Sequence, residues 1–486
     1  MLLTKQLCAI TFIFICTSGS SITPKQTTEY CYEEDTSRPQ YKRLGVYTPY
    51  AFAKGSDTEI YNIPGCSADK IWMLVRHGSR LLEPGDGVSV IDLENLRDEI
   101  IFLYGNNLTL PEKGRLCEAD FNLIKNWKWD TNLTAQYDGT LTVSGWNELK
   151  DLGKDYRNIF PDLFGNAYSS ERLRFDHTNN NANRTEATYK AFVEGLFGDG
   201  SYNDIILDRF PQPNKIQNPM SFCPAYDENV NDQNGRNSET SKFRNSEIFL
   251  KLRNDVSMKL GYHEPLSDQI IVNIYDMCRF EKSWNVEKSS PWCSVLTPSQ
   301  FEILEYLDDL NYYMKRSYGS AINSKLFCFG MDEMLSHIAT NGPQKVIAYF
   351  GHTFGYHLYL TALGAFKDTI ALRSDNFDAM ANRKWRNSEI NPVASNIATV
   401  KYNCPNDVGE KVKVKFFVNQ KTLNFDWCDN GLCNLSDVLE QYSFFTNGDC
   451  EEIFCSTGDS SGHKLSNELV LILYVSLASV AIIWSK

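Results

Sequence analysis

Apolar positions along the chain fall into two kinds of run. Ile71-Trp72-Met73-Leu74-Val75 is unbroken and short, the pattern of a strand buried on both faces. Residues 345–350 repeat it as Lys-Val-Ile-Ala-Tyr-Phe, and 173–177 (Leu-Arg-Phe-Asp-His) predict a third short strand. Elsewhere the spacing widens. Trp146, Leu149, Leu152, Tyr156 and Ile159 recur every three or four positions, which predicts an amphipathic helix over 142–160 that Pro161 stops. Tyr189, Phe192, Val193, Leu196 and Phe197 share one face of a helix beginning near Arg184. A helical pattern also covers 90–104. Thr297-Pro298-Ser299-Gln300 is a capping box with Pro at the first helical position; it starts a helix through Phe301, Leu304, Leu307, Leu310 and Met314. A helix over 353–363 follows the second apolar run, and the alternation over 411–419 predicts a half-exposed strand.

Strands alternating with helices predict an α/β fold with a central, mostly parallel sheet flanked by helices. The stretch 199–323 departs from that rhythm. Residues 212–246 are rich in Pro, Asn, Asp and Ser and read as mostly loop, so 199–323 is expected to form a mainly helical cap inserted between an α/β body of 21–198 and 324–455. Residues 22–69 are polar and irregular, with Cys31 and Cys66 tying them to the body. The two ends read as processing signals. Lys5, an apolar run over 7–16 and small residues over 17–20 make a signal peptide of 1–20. At the other end, small residues, a polar spacer with His463, Lys464 and Glu468, and an apolar tail over 469–484 make 456–486 a GPI-attachment signal. A short transmembrane anchor is the competing reading, but the tail falls below the roughly 20 residues needed to span a bilayer. Either reading places the protein outside the cell, at a membrane.

Composition narrows the partners. The net charge of −13 with no basic run excludes nucleic acid as principal partner. Of 14 cysteines, Cys8 and Cys16 fall in the signal peptide, leaving an even number for an oxidising compartment. Cys278/Cys293, Cys428/Cys433 and Cys450/Cys455 are near enough for local loops, although spacing does not fix the pairing. Asn107, Asn132, Asn183 and Asn434 head glycosylation sequons. No His/Cys cluster has metal-ligand spacing.

The chemistry gathers where the apolar strands end. The first delivers Arg76-His77-Gly78-Ser79-Arg80, a histidine between two guanidiniums with a glycine that lets the backbone approach closely. That set suits gripping a phosphate and attacking it. The second ends in Gly351-His352. Ligands of α/β sheets bind outside the carboxyl ends of the strands, so both histidines are expected to face one pocket. Arg184, at a helix N-terminus, is placed to favour an anion.

These residues resemble a known family. Arg76-His77-Gly78-Ser79-Arg80 resembles the signature of the histidine phosphatase superfamily, in its acid phosphatase and phytase branch. Residues 145–164, Arg184 with 191–198, Pro291-Trp292-Cys293 and Tyr349-Phe350-Gly351-His352 resemble the multiple inositol polyphosphate phosphatases, as does 383–396. The resemblance runs in order from about 40 to 455. It implies that His77 is the nucleophile, that Arg76, Arg80 and Arg184 clamp the phosphoryl oxygens, and that His352 is a further phosphate contact. It also implies inositol polyphosphate substrates and no metal or other cofactor. Two departures stand out. Leu82 replaces a usual Pro, and His352-Thr353-Phe354 stands where the family has His-Ala-Glu, with the Glu as general acid. An alkoxide is a poor leaving group, and loss of the acid costs on the order of 10²–10⁴-fold in rate. Glu83, Asp86, Asp176 and Asp375 are the candidate substitute acids. His357 reads as packing, and His177 and His337 as ordinary residues. Two functions follow as expectations: a GPI-anchored extracellular phosphomonoesterase, or a catalytically inactive ectoprotein that binds a phosphorylated ligand. An adhesion protein with a vestigial pocket is a weaker third.

Overall fold

The first apolar run forms the middle of a seven-stranded sheet in a computed structural model that describes residues 30–456 except 107–109, 179–182, 208–213 and 232–237. The signal segment 1–20, all but the first residue of the anchor segment 456–486, and the sequon at Asn107 lie outside the described residues. In chain order the elements that matter are β1 (Ser67–Arg76), α1 (Val90–Asn106), α2 (Val143–Ile159), β2 (Leu173–His177), α3 (Arg184–Phe197), α4 (Asp268–Trp284), α5 (Pro298–Arg316) and α6 (Cys328–Ala339). They continue with β3 (Val346–Gly351), α7 (Thr353–Ala362), β4 (Asn396–Asn403), β5 (Val412–Val418), β6 (Lys421–Leu423) and β7 (Leu432–Asn434).

The strand order is β2-β3-β1-β4-β5-β6, with β7 also paired to β5. β1 runs parallel to β3, Ile71 beside Val346 through Arg76 beside Gly351, and β2 runs parallel to β3 on the other side. The parallel half is therefore the half that carries the candidate site. From β1 outward through β4 and β5 the pairings are antiparallel, which refines the expected mostly parallel sheet. Because β1, β2 and β3 end in register, His77, His177 and His352 arrive at one edge.

Alternation along β1 supplies both faces of the sheet. Ile71, Met73 and Val75 pack against α2 and α3 through Leu149, Leu152, Tyr156 and Phe192. Trp72 and Leu74 join the opposite core, which continues through α6 and α7 into α4 and α5. The α2–α3 crossing is close because glycines face each other: a Cβ on Gly153 would stand 2.1 Å from the Phe192 carbonyl oxygen, and one on Gly195 2.0 Å from that of Lys150. The helix starts follow the capping signals. The Thr142 hydroxyl accepts from the Gly145 N–H, and Thr297 and Gln300 complete their box.

Two expectations need correction. Among the described residues of 212–246, helices Pro224–Asn231 and Glu239–Arg244 stand where loop was expected, the second capped by Ser238. Short helices with few apolar positions leave little periodicity to read. Of the three proposed local disulfides, Cys278–Cys293 and Cys428–Cys433 form, but Cys450 and Cys455 do not pair with each other. Cys450 opens a short helix (Cys450–Ile453) and bonds Cys328, while Cys455, beyond it, bonds Cys223. Cys31–Cys117 and Cys66–Cys404 tie the amino-terminal segment to the body.

Candidate active site

At the end of β1 the backbone is held from several directions. The His77 N–H donates to the Gly351 carbonyl, so the two strand tips are hydrogen-bonded across the site at 3.0 Å. Gly78 is wedged against α2: an added Cβ would meet the Gly145 carbonyl oxygen at 2.6 Å and Leu149 at 2.7 Å. Ser79 donates both its N–H and its hydroxyl to the Glu148 carboxylate, at 2.9 and 3.0 Å. Burial raises the Glu148 carboxyl to about 7, against the pull of those two bonds. Sequence reading did not single out Glu148, which is one of three acids on α2 with Asp151 and Asp155.

The His77 imidazole is buried. Its Nδ1 lies 2.9 Å from the Gly78 carbonyl, which only accepts, so Nδ1 carries the hydrogen and Nε2 keeps its lone pair. Burial, then the charges of Arg76 and Arg184, hold the ring well below the usual imidazole range. His352 stands opposite with ring centres 5.4 Å apart, and burial followed by Arg184 and Arg76 lowers it to about 3. Both rings are neutral at physiological pH, as a nucleophile requires. His352 is also the N-cap of α7, whose first turn receives no side-chain cap.

Three guanidiniums act on His77. Arg76 is 2% exposed, and its Nη1 donates to the carbonyls of Val46, Asn391 and Pro392 at 2.6–3.0 Å. Among the described residues it has no carboxylate partner, and burial lowers it to about 10. Arg80 grips Asp86 with both terminal nitrogens, at 2.8 and 2.6 Å, and also reaches the Tyr47 hydroxyl. Arg184 grips Glu83 at 3.0 and 3.3 Å. The Nε of each of the three is buried with no hydrogen-bond acceptor. A fourth cation, Arg316 at the end of α5, influences His352. Four guanidiniums against Glu83 and Asp86 leave two positive charges around neutral imidazoles, the charge of one phosphate dianion with sign reversed. Beyond Arg80 opens a cavity of about 640 Å³ walled by Tyr47, Asp86, Arg279, Tyr312 and Lys315, among others.

The structure thus brings Arg76, His77, Arg80, Arg184 and His352 together. It places the candidate acids differently. Burial works against the Asp86 carboxylate, but Arg80 outweighs it and holds the carboxyl below its ordinary value. Asp86 and Glu83 are counterions of the clamp arginines. Asp176 accepts from the His177 N–H and from Gln217 at 2.8 and 3.1 Å. Asp375 is exposed and pairs with Arg373. Phe354 is 5% exposed, edge-on to Tyr226 with ring centres 5.4 Å apart. His357 does more than pack: its Nε2 lies 2.7 Å from the Asn391 amide, and the carbonyl of Asn391 holds Arg76. His337 lies on α6, where its carbonyl accepts from Lys70 near the start of β1, the end opposite His77. His177 packs on Tyr189. Among the described residues the one group with metal-ligand proximity is Cys31, Cys117 and Asp120, and there the two sulfurs form a disulfide.

A neutral histidine at the tip of a central parallel strand, ringed by arginines, defines a phosphoryl-transfer class of site, and the chain belongs to the histidine phosphatase superfamily (branch 2), whose family model matches residues 69–419. It is 38% identical to multiple inositol polyphosphate phosphatase 1 of Drosophila melanogaster over 431 residues, 88% of this chain and 91% of that one. Among solved structures it shares its fold with the phytase from D. castellii (TM-score 0.68, 17% identity, 88% and 92% of the two chains). It also shares it with the Bifidobacterium longum multiple inositol polyphosphate phosphatase in complex with inositol hexasulfate (TM-score 0.54, 14% identity, 86% and 99%).

Proposed function

We propose that the protein is a phosphatase of inositol polyphosphates that works through a phosphohistidine on His77. The observation that carries this reading is the neutral His77 ring, with Nδ1 tied to the Gly78 carbonyl and Nε2 left as nucleophile inside a clamp of net positive charge. Arg76, Arg80 and Arg184 bind the non-bridging oxygens, where charge builds during transfer, and His352 adds a fourth contact. Arg76 is the strongest of these in logic, because a buried guanidinium held by neutral carbonyls is costly until an anion meets it. The substrate class is supported by the Drosophila relative, whose name is that of an inositol polyphosphate phosphatase. Phe354 occupies the position of the family's general acid, which slows release of an alkoxide and keeps a second reading in play: a protein that binds a phosphorylated ligand without turning it over.

One assay separates the two. Phosphate release from inositol hexakisphosphate is expected for the wild type and is lost in His77→Ala. Equal rates in the two would remove the enzyme reading; equal binding with no turnover in either would establish the binder.

Residues 199–323 serve in this reading as the helical cap, since α4 and α5 supply Arg279 and Tyr312 to the cavity beyond Arg80, and Arg316 to the surroundings of His352. The signal peptide and GPI signal make the protein a cell-surface one. The six disulfides, and sequons at the exposed Asn132 and Asn183, fit that route.

A further inference from the structure

On the side of the site next to α7, the protein offers a cation and an aromatic ring in place of an acid. The Arg316 guanidinium carbon stands 4.9 Å from the centre of the Tyr312 ring and 5.2 Å from that of Phe354. It makes no ion pair with any described residue, whereas Arg80, Arg184, Arg279 and Arg383 are all matched by carboxylates. The carboxylates near the clamp are spoken for: Glu83 by Arg184, Asp86 by Arg80, Asp176 by the His177 N–H and Gln217. His352 is neutral, and a neutral imidazole is a very weak acid. The charges acting most strongly on His77 and His352 are all positive. This side of the pocket can therefore stabilise a departing negative charge, and two carboxyls that burial raises toward neutrality, Glu148 and Asp276, are already engaged by Ser79 and by Arg279.

We propose that Arg316 pairs with the departing oxyanion, so that the site favours phosphoanhydrides over alkyl phosphate esters. The inference rests on the phosphatase reading above and moves its preferred substrates from the plain esters of an inositol ring toward phosphates that carry an anhydride. The His77 Nε2 lone pair forms the P–N bond while the bridging P–O bond breaks and its electrons leave with the oxygen. In an anhydride that oxygen belongs to a second phosphate, which is stable as an anion near neutral pH and meets the fixed charge of Arg316. An alkoxide would have to be protonated in the same step. Water then attacks the phosphorus of phosphohistidine, the P–N bond breaks, the electron pair returns to Nε2, and the surplus proton of water goes to the phosphate or to solvent. One water is consumed and two phosphates leave.

The test compares inorganic pyrophosphate with glycerol 2-phosphate, using the full-length protein, Arg316→Gln, Arg316→Lys and His77→Ala, with 4-nitrophenyl phosphate as a reference substrate. The wild type is expected to prefer pyrophosphate by about 10²-fold or more in kcat/KM, the scale of a missing general acid. Arg316→Gln should shrink that preference about tenfold, chiefly through kcat, and Arg316→Lys should restore part of it because the charge is kept. A preference near one in the wild type, or one that Arg316→Gln leaves intact, overturns the inference. The phosphatase reading fails separately, by 4-nitrophenyl phosphate turnover that is the same with and without His77. His77-dependent turnover of that reference with no anhydride preference sinks this inference alone.

Discussion

The tips of β1 and β3 are neighbours in one sheet, joined by the hydrogen bond from the His77 N–H to the Gly351 carbonyl, yet they are built in opposite ways. At the β1 tip every group is fixed by others that are buried or half-buried: Arg76 by three carbonyls, Gly78 by the backbone of α2, Ser79 by Glu148, Arg80 by Asp86. At the β3 tip the contacts are fewer and softer. A Cβ on Gly351 would meet only side-chain atoms, Thr178 Oγ1 at 3.3 Å and Gln217 Oε1 at 3.7 Å. Phe354 touches Tyr226 and Arg316 through ring faces and edges, which set distance but little direction. The difference teaches where tolerance is small. An attacking atom must be placed to a fraction of an ångström, whereas charge on a departing group can be met by a cation over a broader range of positions.

Substitutions at the two tips test this contrast. His77→Ala should lower kcat/KM for inositol hexakisphosphate by at least ~10³-fold, while His352→Ala, which removes one contact to a phosphate oxygen, should cost roughly 10–10²-fold. Similar losses would mean the two histidines have been assigned unequal roles wrongly. Phe354→Glu should raise the rate on alkyl phosphates by roughly 10–10²-fold and give it a falling limb at high pH, because the new carboxyl must be protonated to act. An unchanged pH profile would show that position 354 does not reach the leaving oxygen. Gly78→Ala is expected to destabilise the fold by about 1–3 kcal/mol and to cut activity further than stability accounts for; Gly351→Ala should be tolerated within about 1 kcal/mol. Thermal melts with kinetics on the folded fraction would reveal it if the two glycines behaved alike. The smallest effect concerns acid. His352 stays neutral in the fold down to about 3, while an unfolded chain takes up the proton near 6.5, so stability drops as pH falls from 6.5 toward 3. His352→Asn should lose less Tm than wild type between pH 7 and 4; an equal loss would argue that the ring is not held neutral.

Much of the β1 tip was legible in the sequence because its signals are local. An apolar run with charges at its end, a helix opening at Arg184 and a capping box at Thr297 each depend on residues a few positions apart, and β1, α3 and α5 fall where those signals place them. The antiparallel partner β4 went unread because its strand, buried except at Asn403, carries Asn396 and Lys401. Lys401 is made tolerable by Thr340, Asn341 and Asp69, which are distant in sequence. Glu83 and Asp86 looked like free acids for the same reason: their arginines are visible in the sequence, but the pairing is not. Arg316 was passed over because a basic residue in the last turn of a helix is ordinary on macrodipole grounds. Only the fold shows that it stacks on Phe354. The Cys450/Cys455 pairing was misjudged because spacing counts residues, while a helix between them turns the two sulfurs apart.

The disulfide from Cys455 to Cys223 sits next to the last described residue, Ser456. It bears on how the molecule carries load. Tension applied to the chain beyond 456 passes through a covalent bond straight into the segment around Cys223, bypassing the short helices at Leu435–Gln441, Ser443–Asn447 and Cys450–Ile453. Cys328–Cys450 supplies a second strut a few residues inward. A molecule tethered by that end in flowing fluid would be pulled by its frame, and the load would enter three residues from Tyr226, the ring that packs on Phe354.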